Sequence, residues 1–194
     1  MRVHLRVDRN IISRFYRILE KGFRIEVAVG CTVRDLLCRQ MGIDEEYVSE
    51  RIQTIFMDGK TVDDLDSAIV GEGTSLAMSA AMPGLIGATL RRGSYYAAMR
   101  GEISHHPRDT PHTMKKGRVA IKLFNMLTRE LGDMFFKRGV WILYADLIGL
   151  IEHENEAFKA GCRDVVINGK YYSLDRLLER GKDTREILLQ IEII

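Results

Sequence analysis

Apolar and polar residues alternate at the start of the chain, with Val3, Leu5 and Val7 on one face, so a first strand is expected there. The spacing then changes. Ile11, Ile12, Phe15, Tyr16, Ile18 and Leu19 recur at intervals closer to a helix than to a strand. Alternation returns at Phe23, Ile25, Val27 and Val29 after the turn-like Lys21-Gly22. Thr32 offers an N-cap to a helical stripe of Val33, Leu36, Leu37 and Met41, which Gly42 ends. Residues 53–57 are apolar and β-prone, Asp58-Gly59 is a strong hairpin turn, and Lys60-Thr61-Val62 returns as the partner strand. Gly71-Glu72-Gly73 leads into a further strand over residues 74–80. The first 80 residues therefore predict an α+β plan with one helix covering a mixed sheet.

These residues carry a family resemblance. The element order, with Gly30-Cys31-Thr32-Val33-Arg34-Asp35-Leu36-Leu37 opening the helix and Met57-Asp58-Gly59-Lys60 ahead of Gly71-Glu72-Gly73-Thr74-Ser75-Leu76, resembles the ubiquitin-like β-grasp family over residues 1–82. The resemblance is greatest to its sulfur-carrier branch, the small molybdopterin-synthase subunit and the thiamine sulfur carrier. It implies an N-terminal β-grasp domain. Carriers of that branch work through a C-terminal Gly-Gly tail whose free carboxylate is adenylated and thiocarboxylated. Here the corresponding stretch reads Ala81-Met82-Pro83-Gly84-Leu85 and the chain continues, so sulfur carriage would require cleavage after Gly84. The plainer expectation is that Pro83-Gly84 is a turn.

The last third repeats the mixture. Ala120, Leu123, Phe124, Leu127, Leu131, Met134 and Phe135 fit an amphipathic helix over residues 119–135, closed near Gly139. Leu143, Leu147, Leu150, Ile151 and Phe158 fit a second helix ending at Gly161. Asn168-Gly169 turns a second hairpin, and Ile187, Leu189 and Ile191 alternate into a terminal strand. Three short matches, Arg2-Val3 with Arg118-Val119, Gly22-Phe23 with Gly139-Val140 and Asp58-Gly59-Lys60 with Asn168-Gly169-Lys170, suggest a duplicated β-grasp. A helix at 119–135 argues against it, so the expected organisation is a β-grasp domain (1–84), a connecting arm (85–118) and a C-terminal α+β domain of two helices and a β-hairpin (119–194).

Composition adds bounds. The 194 residues are 46% hydrophobic and 29% charged, with a formal net charge of +2, the balance of a globular protein with no overall pull toward nucleic acid. No apolar run approaches the roughly 20 residues that span a bilayer, so no membrane partner is expected. Cys31, Cys38 and Cys162 are odd in number and lack metal-like spacing, which points to buried thiols in a reducing cytoplasm.

Only the arm is locally charged. Residues 85–118 hold seven Lys or Arg against two acids, interrupted by glycines, with a short helix expected at 95–99. Arg91, Arg92 and Arg100 with Tyr95 and Tyr96 form the leading candidate site. Guanidinium forks bind phosphate or carboxylate, and tyrosines stack on bases or fill interface cores. The same arginines are open to a second role, pairing with acidic residues such as Asp63-Asp64 in this chain or a neighbouring copy. His105, His106 and His112 are candidate metal ligands, but adjacent histidines point apart in an extended chain, so solvated loop histidines and no metal are expected. No nucleophile elbow, phosphate loop, Rossmann fingerprint or zincin motif is present. The expected function is a non-catalytic cytoplasmic binding protein without a cofactor, acting through a protein partner or self-association, with RNA or a phosphate-bearing ligand as other occupants of the arm. The alternative is an enzyme or enzyme subunit using Arg91, Arg92, Tyr96 and His105 on an anionic small molecule in a cleft between the domains.

Overall fold

The computed structural model describes residues 1–80, 84–96, 104–105, 113–179 and 184–194. The first elements are β1 (Arg2–Val7), α1 (Ile12–Lys21), β2 (Phe23–Val29), β3 (Cys31–Thr32), α2 (Asp35–Gln40, a π-type helix) and α3 (Glu45–Glu50). Next come β4 (Thr54–Met57), β5 (Lys60–Thr61), β6 (Ile69–Val70), β7 (Ser75–Ser79), α4 (Gly84–Leu90), β8 (Lys115–Phe124) and α5 (Met126–Arg138). The chain closes with β9 (Val140–Leu143), α6 (Tyr144–Glu152), α7 (Glu156–Gly161), β10 (Cys162–Ile167), β11 (Lys170–Tyr172), α8 (Leu174–Leu178) and β12 (Glu186–Ile193). This is an α+β protein with mixed sheet pairing. Among the described residues, no helix is long and apolar enough to cross a membrane.

Two compact units divide the chain: Arg24–Leu127, and a discontinuous one of Met1–Phe23 with Thr128–Ile194. In the contiguous unit the strands run in the order β2-β8-β7-β4-β5. β7 and β8 are parallel, from Ser75 opposite Ala120 to Ser79 opposite Phe124, and β4 is antiparallel to both β7 and β5. The Thr32 hydroxyl accepts the Asp35 amide at 3.1 Å, as its N-cap position predicts, and Val33, Leu36 and Leu37 are fully buried. The β4–β5 turn places Asp58 at φ 51° and Gly59 at φ 80°, the left-handed pair that Asp-Gly supplies.

In the discontinuous unit the order is β11-β10-β1-β12-β9. β1 and β12 form a central parallel pair, and β1 is antiparallel to β10. Phe15 of α1 is fully buried; its ring centroid lies 6.5 Å from that of Phe136 and 5.2 Å from that of Phe158. Tyr16 stacks on Phe136 and donates its hydroxyl to Asp133 at 2.8 Å. Asn168 and Gly169, at φ 49° and 82°, turn the second hairpin as expected.

Two expectations are corrected here. The first strand pairs with 162–167 and 186–193, so the sheet expected from residues 1–82 does not close on β1; alternation specified a half-buried strand and left its neighbours open. Residues 119–124 belong to a strand. Val119, Ile121 and Leu123 alternate inward and are completely buried, and Asn125 at φ 57° separates β8 from the helix that does begin at Met126. The objection to a duplicated order thereby disappears, since both halves contain strand, helix, strand, two helices, hairpin and strand in that order, with the short β3 and β6 added in the first and α8 added in the second.

Candidate functional site

The arginine-tyrosine segment lies on the contiguous unit and follows α4 (Gly84–Leu90), a helix where the start of an irregular connecting arm was expected. Arg92 anchors it. Its Nη2 donates to the carbonyls of Val48 (2.7 Å), Ile52 (3.0 Å) and Ser49 (3.3 Å), and its amide donates to Gln53 O at 2.8 Å. These carbonyls belong to the end of α3 and the residues just after it, which lack further helical donors, so a guanidinium satisfies what the helix leaves open. Burial pushes the Arg92 pKa below its ordinary value, with the Arg34 charge adding to the effect. The Gly93 amide donates to Asp63 Oδ1 at 3.3 Å.

Arg91 and Arg92 line a groove of about 400 Å³ together with Arg34, Glu50, Asp63 and Asp64. Positive and negative side chains balance there, and Arg34 is already paired to Asp66 at 2.7 Å. The charged side chains that line the groove therefore sum to no net positive charge. Of the two roles open to Arg92, the geometry gives it the structural one, through backbone carbonyls and not the acidic side chains considered from sequence. Replacing Arg92 with methionine, which keeps the bulk and removes the donors, is expected to destabilise the chain by about 2 kcal/mol. Thermal denaturation checks this, and phosphate affinity should be unchanged.

The rest of the arm's charge is partly absorbed. Lys116 and Arg118 both pair with Glu26, at 3.3 and 2.9 Å, and the hydrogen bond from Arg118 is the main reason the Glu26 carboxyl is held below its ordinary pKa. Tyr95 and Tyr96 meet edge to face at 5.5 Å, with Tyr95 91% exposed. His105 engages through its backbone, donating N–H to Thr61 O at 2.7 Å. Tyr96 and His105 are not among the described residues lining the groove, so the convergence needed by the enzyme alternative is not seen among them. Arg100, His106 and His112, and most of the helix expected at 95–99, lie outside the described residues. Among the described residues no group of three or more His, Cys, Asp or Glu side chains is placed to hold a metal ion.

The three cysteines are free; Cys31 and Cys162 are buried and Cys38 half-buried. Burial raises each thiol's pKa, Cys162 to about 11 with a further contribution from Asp8. At neutral pH they stay protonated and are poor nucleophiles.

Sequence reasoning missed the character of α4. Leu85 and Ile86 are 73% and 70% exposed, and the helix Gly-Leu-Ile-Gly-Ala-Thr-Leu carries no charge. The signal was present as an apolar run between Gly84 and Arg91 with no polar face. No family model matches this chain, and no curated protein and no solved structure matches it.

Proposed function

We propose that this chain is a non-catalytic cytoplasmic binding protein that associates with a second copy of itself through residues 84–96. One observation carries the reading: Leu85, Ile86 and Tyr95 are each at least 70% exposed on a segment that Arg92 fastens to the body of the unit. Large apolar side chains held outward cost solvation unless a surface covers them, and tyrosine is enriched at interface cores. The half-buried Ala88 of α4 is small enough to allow close approach. The β-grasp reading is retained in altered form: residues 24–80 supply the helix, the hairpin and β7, and β8 supplies the parallel neighbour of β7 that residues 1–82 lack.

Sedimentation velocity over a range of concentrations tests the proposal. The wild-type chain should associate, and the Leu85→Asp/Ile86→Asp variant should remain a monomer with an unchanged circular dichroism spectrum. A wild-type chain that stays monomeric up to high micromolar concentration refutes it.

A further inference from the structure

Between α1 and α6 the discontinuous unit holds a hollow of about 220 Å³, with Ile18, Gly149 and Leu150 as its apolar lining. Nothing in the fold requires a glycine at position 149. Its backbone is that of α6, and no atom lies within 4 Å of where a Cβ would stand, whereas at Gly132 and Gly161 of the same unit a Cβ would meet Tyr16 or Ile11. Glycine inside a helix weakens it relative to alanine. What the missing side chain does is keep this hollow open.

The charged lining comes from Arg17, Lys21 and Asp146, with His153 beside them. Lys21 Nζ meets Asp146 Oδ1 at 2.5 Å, so those two charges cancel. Arg17 stands 3.9 Å from Glu154, beyond hydrogen-bond reach, and Arg14 approaches the other oxygen of that carboxylate at the same distance. Three cations thus face two carboxylates, leaving one positive charge before His153 is counted. A carbonyl only accepts, so His153 Nδ1 donates its proton to Gly149 O at 2.5 Å, which fixes the imidazole over the same turn of α6.

We propose that this hollow binds a small aromatic monocarboxylate, with its ring against Ile18, Gly149 and Leu150 and its carboxylate on the Arg17 guanidinium, whose planar fork matches two oxygens. The volume selects a ligand of one ring, since pockets for drug-sized molecules run from about 300 Å³ upward. The charge selects a monoanion, because one positive charge is left over and a dianion would place a second negative charge near Asp146. No residue of the segment 84–96 takes part, so the site stands or falls apart from self-association.

Benzoate is the probe, with benzylamine controlling for charge and acetate for the ring. In proton–nitrogen NMR of the full chain, benzoate should shift the amides of Arg17, Lys21, Gly149 and His153 and saturate at about millimolar concentration. Benzylamine and acetate should leave those amides in place. Gly149→Leu fills the hollow with a good helix former, so it should weaken benzoate about tenfold or more while the melting temperature holds or rises. Arg17→Gln, which removes the fork, should weaken benzoate by a similar factor, and circular dichroism confirms the folding of each variant. No saturable shift at these amides up to about 10 mM benzoate overturns the proposal, as does benzylamine binding as well as benzoate or an affinity unchanged by Gly149→Leu. Should Gly149→Leu not fold, Arg17→Gln decides: benzoate affinity equal to wild type overturns the site.

Discussion

Replacing Gly30 with alanine should lower the stability of the chain by about 3 kcal/mol. Gly30 joins β2 to β3 at φ +90°, a region that L side chains rarely adopt, and its amide donates to Val70 O at 2.7 Å. An added Cβ would also sit 2.8 Å from the carbonyl oxygen of Thr113, a backbone atom that cannot rotate away. Dihedral strain and the close contact therefore act together. The melting temperature should fall by about 10 °C or more for a unit of this size. Gly149 is the control, because nothing lies within 4 Å of its Cβ position inside α6. Alanine there should be neutral or stabilising by up to about 1 kcal/mol. Calorimetry on the two variants checks both signs, and a Gly30→Ala chain melting with wild type would remove the argument.

The larger loss is expected at Phe15. Its ring is completely buried in α1 against Phe136 and Phe158, from α5 and α7, so truncation to alanine removes the residue joining three helices of the discontinuous unit. Core Phe→Ala changes cost about 3 to 5 kcal/mol, and Phe15→Ala belongs near the upper end because the surrounding rings cannot all close on the cavity. Phe15→Leu should cost about 1.5 kcal/mol or less. Urea denaturation followed by tyrosine and tryptophan emission gives both values; a Phe15→Ala cost below that of the leucine variant would contradict the packing described.

What could be read from sequence follows the range of the interaction that fixes each feature. Both hairpins were legible because their turns require positive φ at two adjacent residues, which Asp58-Gly59 and Asn168-Gly169 announce by themselves. The cap at Thr32 is equally local. Residues 119–124 were ambiguous because Leu123 and Phe124 fit a helical stripe continuing to Phe135, while Val119, Ile121 and Leu123 fit a strand. Parallel pairing with β7 decided it, and no local pattern reports that pairing. The role of Arg92 was hidden for a chemical reason: its donors fit carbonyls, carboxylates and phosphates alike, and only the position of the α3 carbonyls chooses among them. Tyr95 and Arg91 stood out in the sequence as anion-binding or interface candidates, whereas Leu85 and Ile86 were passed over because a Pro-Gly pair before them reads as a turn.

The nested arrangement of the two units has a consequence for the order in which the protein is built. Residues 24–127 are contiguous, so their sheet has all of its strands as soon as β8 has been synthesised. β1 emerges before any of them, yet Arg6 meets Asp164, 158 residues later, and the parallel partner of β1 is β12. Val3, Leu5 and Val7 thus wait without their sheet through most of translation. Once residue 127 has cleared the ribosome, the nascent chain should hold a folded insert behind an unpaired apolar strand, and that strand, rather than the insert, is where a chaperone would find its client.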